Sequence, residues 1–191
     1  MAEPDSEHSV NTFTTFDSFE YNNRYTFGQF NVNGWFSNKN PYYTEFKLDV
    51  LKCMNVNIVI LCETHCTNDQ TIKIDNYTVY QHNRPTQGEV RRGSGGVAIA
   101  IKNSLLISHE ILGIYKNYDG IMGIKLKNVS TDFTIGIMGN YLSPDNYRYG
   151  RDAECYCNNC SVLWENLIDC DLRLGAGDYK PVGGLFTRHR R

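Results

Sequence analysis

Asn31, Glu63 and Asp178 each stand at the end of a predicted β-strand, in the runs Asn31-Val32-Asn33-Gly34, Cys62-Glu63-Thr64 and Gly177-Asp178. Carboxylates and amides gathered at strand ends supply the hard oxygen donors of a Mg2+-type site, the kind that serves phosphate chemistry. Glu63 follows a fully apolar run, so its carboxylate leaves the core and enters a crevice at the carboxyl end of a sheet. Asn31 and Asn33 flank Val32 and alternate sides if the strand continues. Taken singly, each of these residues reads as a turn residue before it reads as a ligand. Two further runs, Gly93-Ser94-Gly95-Gly96 and Asn140-Tyr141-Leu142-Ser143-Pro144, bring to five the motifs that follow one another in this chain.

The elements that must position these residues can be read from hydrophobic period. Tyr25 to Asn31 alternates bulky and small residues and predicts a strand. Pro41 precedes a predicted helix over 43–55, whose apolar positions Phe46, Val50, Leu51 and Met54 fall on one helical face. Asn57 to Cys62 is a continuous apolar, β-branched run, the mark of a strand buried on both faces. Strand, helix and strand together make a βαβ-like start. Residues 77–80 and 96–101 predict strands, with an exposed loop over 83–95 rich in Arg, Gly, Pro and Gln. Residues 122–126 and 133–138 predict an antiparallel hairpin across the polar turn 127–132. A helix is expected over 152–170 and a weak final strand over 172–177. A crossover unit beside a hairpin points to α/β or α+β layers of sheet and helix.

Composition bounds the function. A chain of 191 residues suits one domain with a real core. The net charge of −2 offers no global basic field for nucleic acid, although a local groove can be basic on a neutral protein. No apolar run approaches the about 18 residues of a membrane-spanning helix. The first 23 residues lack the apolar stretch of a secretion signal and read as a flexible tail, in which Phe13, Phe16 and Phe19 recur at every third position. Seven cysteines and no export signal predict reduced thiols in an intracellular compartment, nuclear or cytoplasmic. Cys155-x-Cys157-x-x-Cys160 is a partial zinc spacing. Zinc asks for four ligands, and the simpler reading is that some of these thiols pack as small hydrophobes on a helix.

The five motifs in their order resemble the endonuclease/exonuclease/phosphatase family, and more narrowly the N-terminal endonuclease domain of non-LTR retrotransposon reverse-transcriptase proteins. The residues that carry the resemblance are Phe30-Asn31-Val32-Asn33-Gly34-Trp35, Leu61-Cys62-Glu63-Thr64-His65, Arg92-Gly93-Ser94-Gly95-Gly96-Val97-Ala98-Ile99, Tyr141-Leu142-Ser143-Pro144 and Gly175-Ala176-Gly177-Asp178-Tyr179. The likeness implies a DNase I-like fold, two packed sheets flanked by helices, incomplete at the C-terminus. It implies a domain over 24–180 between a tail of 1–23 and a basic tail of 181–191.

By the same resemblance, Glu63 ligates Mg2+, weakly and with Mn2+ as a substitute, and Asn31 supports that site. Asn33 stands where repair enzymes of the family often carry Asp. Tyr141 contacts the scissile phosphate and Asp178 orients the attacking water. The implied reaction is hydrolysis of a phosphodiester in DNA, weakly bound, with no organic cofactor and no membrane. Two departures matter. Lys180 stands where the family's Asp-x-Asn motif has Asn, and lysine cannot reproduce an amide's paired donor and acceptor. The Ser-Asp-His motif that supplies the family's base is absent from these residues, and His189 sits instead in a basic run. The expectation is therefore a metal-dependent endonuclease domain with little or no activity by itself. Its competitor is a dead fragment, kept as a binding module or left as a transposon remnant. A lipid or inositol phosphatase of the same superfamily fits the Ser-Gly-Gly stretch less well.

Overall fold

The computed structural model describes residues 12–18, 23–36, 42–83, 95–118, 120–141, 153–178 and 184–189. The chain orders these as β1 (Thr12–Ser18), β2 (Asn23–Asn31), α1 (Tyr42–Met54), β3 (Ile58–Cys62), β4 (Tyr77–His82), β5 (Val97–Lys102), α2 (Asn103–Leu106), β6 (His109–Tyr118), β7 (Ile121–Asn128), β8 (Thr134–Tyr141), α3 (Ala153–Asn166), β9 (Leu172–Asp178) and β10 (Gly184–His189). They build two mixed sheets, one in the order β1-β2-β3-β5-β4 and the other β10-β9-β8-β7-β6.

Each sheet contains one parallel pair made by a helical crossover. β2 pairs with β3 in parallel across α1, and β8 pairs with β9 in parallel across α3. All other pairings are antiparallel, including the β7–β8 hairpin. The sequence period explains the layers. Strand side chains alternate faces, and the central strands are apolar on both. Phe27, Ile58, Ile60, Val97, Ile99 and Ile101 of the first sheet meet Met122, Ile124, Ile135, Ile137, Leu172 and Leu174 of the second in one core. The opposite face of the first sheet, with Phe30, Val59, Leu61, Ala98 and Ala100, packs against Leu51 of α1. Leu163 and Leu167 cover the outer face of the second sheet at Ile121 and Met138. Each fully buried Ile or Leu contributes roughly 1.5–3 kcal/mol. Helix, sheet, sheet and helix thus form four layers.

Several expectations need correction. Thr12–Ser18, expected within a tail, is β1, hydrogen-bonded along the free edge of β2. Gly184–His189, expected within a basic tail, is β10, antiparallel to β9. β6 was not anticipated at all. Its outward positions alternate through Glu110, Leu112, Ile114 and Lys116, so two of the four are apolar, while buried His109 faces the core, and the polar-out, apolar-in signature is blurred. In α1 the buried positions are Lys47 and Leu51, and Phe46 is 62% exposed instead of facing the core. α3 ends at Asn166, short of the expected Cys170. The loop over 84–94, the Leu142-Ser143-Pro144 part of the tyrosine motif and Lys180 lie outside the described residues.

Candidate active site

The carboxyl ends of the two parallel pairs point the same way and carry the polar motifs. In the first sheet, Asn31 is the register partner of Cys62, one residue before Glu63. The alternation through Tyr25, Phe27 and Gln29 places Asn31 on the face toward the second sheet. Its Oδ1 accepts the Asn33 N–H at 3.0 Å, closing a local turn. In the second sheet, Tyr141 is the register partner of Asp178. Tyr141 is buried, and its N–H donates to the Gly120 carbonyl at 2.8 Å. One hydrogen bond ties the two ends together. The Cys62 thiol of β3 donates to the Asn140 carbonyl of β8 at 3.5 Å.

The backbone leaving β3 is constrained. Glu63 and His65 hold left-handed φ values of 55° and 50°, and Asn33 opposite them holds 43°. Such conformations cost roughly 1–2 kcal/mol each for L-residues and persist where surrounding bonds fix them. Those bonds are present. The Val32, Gly34 and Trp35 N–H groups donate to the Cys62, Glu63 and Thr64 carbonyls at 3.0, 2.6 and 2.7 Å. On the other side, the Thr64 and His65 N–H groups donate to the Gly96 and Gly95 carbonyls at 3.2 and 2.6 Å. A side chain at Gly96 would bring its Cβ within 2.5 Å of Thr64 Oγ1, and the φ of +90° there already calls for glycine. The Gly95-Gly96 part of the Ser-Gly-Gly motif is thus the backbone neighbour of the glutamate motif.

Two buried groups lie nearby. The Cys66 thiol is pushed up to about 11 by burial, which a hydrogen bond toward Thr64 and the charge of Lys47 oppose. Lys47, 1% exposed, donates to the carbonyls of Gly34 and Trp35 and lies 3.7 Å from the Tyr43 ring centroid. Sequence reasoning missed Lys47 and gave Asn140, the first residue of the tyrosine motif, no role of its own. A lysine four residues before buried Leu51, on the stripe that α1 turns to the sheet, was the available signal for the first. Asn140 needed the β8–β9 register, which no local pattern encodes.

Among the described residues no group of three His, Cys, Asp or Glu could hold a metal ion. A closed protein cage of the structural-zinc kind therefore does not fit these residues. Glu63 and Asn31 carry hard oxygen atoms, the donor type that Mg2+ takes through one or two carboxylates while it retains several waters. No helix among the described residues is long and apolar enough to cross a membrane.

No protein-family model matches the chain, and a comparison with curated proteins finds no relative. Solved structures do match. The human Nocturnin catalytic domain with bound sulfate anion is similar at a TM-score of 0.58 and 14% identity, over 82% of this chain and 65% of that one. An endonuclease/exonuclease/phosphatase family protein from Bacteroides thetaiotaomicron is similar at 0.55 and 11%, over 90% and 64%. The 3′ phosphatase NExo from Neisseria, bound to product DNA hairpin, is similar at 0.50 and 11%, over 80% and 56%. The chain thus spans less than two thirds of each of these structures. Two mixed sheets with flanking helices in this arrangement are the DNase I-like fold of endonuclease/exonuclease/phosphatase proteins.

Proposed function

We propose that the paired strand ends form a phosphodiester-hydrolysing site of the retroelement-endonuclease type, acting on DNA in the nucleus or cytoplasm. The observation that carries this reading is the tie between the two parallel pairs. Asn31 beside Cys62, and Tyr141 beside Asp178, are linked by the Cys62 thiol on the Asn140 carbonyl. Ligands of open α/β sheets bind outside the carboxyl ends of strands.

In this reading Glu63 and Asn31 hold a divalent cation, Mg2+ or Mn2+. When bound, the cation neutralises charge on the phosphate and its leaving oxygen. The Tyr141 hydroxyl donates to a phosphate oxygen, and Asp178 accepts a hydrogen bond from the attacking water and so orients it. These groups bind and position, but none is a well-placed general base, whose contribution is typically about 10²- to 10⁴-fold. The 191-residue chain is accordingly a slow nuclease by itself. Nicking of supercoiled plasmid in Mg2+, with Glu63→Gln as the control, tests the reading. A binding module without chemistry would retain DNA and show no Glu63-dependent nicking.

A further inference from the structure

We propose that Lys47 is a positioning residue for this site: its buried ammonium clamps the turn after β2 and so fixes the backbone on which Asn31 and Glu63 sit. The inference rests on reading the strand ends as a metal and phosphate site.

A buried ammonium is costly to desolvate, and it persists where it is hydrogen-bonded. Lys47 donates to the carbonyls of two successive residues, Gly34 and Trp35, and lies against the face of Tyr43. Thr44, from the same helix, donates its hydroxyl to the Trp35 carbonyl at 3.0 Å. The same two residues donate their N–H groups in the opposite direction, to Glu63 and Thr64. The turn after β2 is therefore held between α1 on its carbonyl side and the end of β3 on its amide side. Glu63 is the residue at which that second contact meets a left-handed φ. Removing the ammonium leaves the Gly34 carbonyl short of its side-chain donor and the Trp35 carbonyl with Thr44 alone, a loss of buried hydrogen bonding that the turn relieves by moving. Movement there releases Glu63 toward ordinary strand angles and changes the direction in which its side chain leaves the end of β3. The structure thus assigns to α1 a task beyond covering the sheet.

The test compares the full chain with Lys47→Met, Lys47→Arg and Glu63→Gln. Mn2+ affinity is read by calorimetry, and the Cα chemical shifts of Glu63 and Asn33 by NMR, at a temperature where thermal unfolding shows each protein folded. Lys47→Met is expected to lose about 10-fold or more in Mn2+ affinity, the usual scale for groups behind metal ligands. It should also shift Glu63 and Asn33 away from left-handed values while Ile60 and Ile137 stay unchanged. Lys47→Arg, which keeps donors and charge, should recover most of both. A folded Lys47→Met with wild-type affinity, or with unmoved Glu63 and Asn33 shifts, overturns the inference, as does an arginine variant no better than methionine. If Lys47→Met does not fold, Lys47→Gln is read the same way. Failure of both to fold would make the lysine merely structural and overturn the proposal. Equal Mn2+ binding by wild type and Glu63→Gln would instead sink the site reading itself, whatever Lys47 does.

Discussion

The Asn140 carboxamide lies directly over the Cα of Gly177, its partner in the parallel β8–β9 register, in the space a Cβ at Gly177 would occupy. The next register pair is Tyr141 and Asp178. A contact that admits only glycine therefore fixes the spacing of two candidate site residues. Gly177→Ala is expected to destabilise the protein by at least about 2 kcal/mol, the scale of overpacking a close-packed position. Replacing Asn140 as well recovers only part of the loss, because the Asn140 backbone oxygen also lies 2.5 Å from the added Cβ. Urea denaturation of the single and double variants measures both.

Glu63→Gln removes the only carboxylate in the Asn31–Glu63 pair. Mg2+ or Mn2+ binding is expected to be weak in the wild type, since Mg2+ dehydrates reluctantly, and at least about 10-fold weaker in the variant. A metal titration of both proteins decides the point. Equal binding removes Glu63 from the role.

Thiol reactivity should divide by position. Cys53 and Cys157 are exposed, whereas Cys62, Cys66 and Cys170 are buried. Burial raises the thiol pKa of Cys66 and Cys170, and the thiolate is the reactive form. Native protein at pH 7.5 is expected to label at Cys53 and Cys157 within minutes. Cys62, Cys66 and Cys170 should label only on unfolding. Mass-mapped alkylation, with and without denaturant, reads the pattern. Rapid native labelling of Cys62 would contradict the bond between the two strand ends.

His109 predicts a pH dependence of stability. It is 5% exposed and joins the two sheets: one ring nitrogen meets the Leu105 carbonyl at 3.0 Å and the other meets the Tyr25 hydroxyl at 3.1 Å. Burial lowers its pKa, partly offset by the bond to Leu105. The folded state therefore refuses a proton that the unfolded state accepts below about pH 6.5. Stability is present in full above that pH and falls as pH drops toward the folded-state value, with a slope of at most about 1.4 kcal/mol per pH unit. Unfolding free energies at pH 7.5 and 5.5 should differ more in the wild type than in His109→Gln.

The parts of the fold legible in the sequence were those whose pattern is local. β3 and β5 are apolar on both faces because both faces are covered, and an uninterrupted run says so. The β7–β8 hairpin announces itself by a polar turn between two apolar segments. β1, β6 and β10 were not legible, because each depends on pairing rather than on its own period. β1 and β10 complete sheet edges, and β6 carries Leu112 and Ile114 on its exposed side. The face of α1 misled for a related reason. Lys47 takes the inward position that apolarity alone assigns to Phe46, and it can do so only because carbonyls from a different segment receive its charge. The candidate site residues Asn31, Glu63, Tyr141 and Asp178 were named from motifs in their order; Asn31, Tyr141 and Asp178 end strands and Glu63 follows one. The Asn140–Gly177 contact and the Cys62–Asn140 bond could not be named in this way, since both depend on which strands lie side by side.

The most direct test of the central claim is the conversion of supercoiled plasmid to open circles by the wild type, Glu63→Gln and Asp178→Asn in Mg2+. The account predicts near-background conversion under multiple turnover. With protein in excess over plasmid, it predicts a slow Mg2+-dependent conversion that both substitutions remove. Equal conversion by the wild type and Glu63→Gln would contradict the assignment of the strand-end site. Rapid multiple-turnover nicking that both substitutions abolish would instead contradict the proposal that the groups named here include no general base, and would mean that another group supplies it.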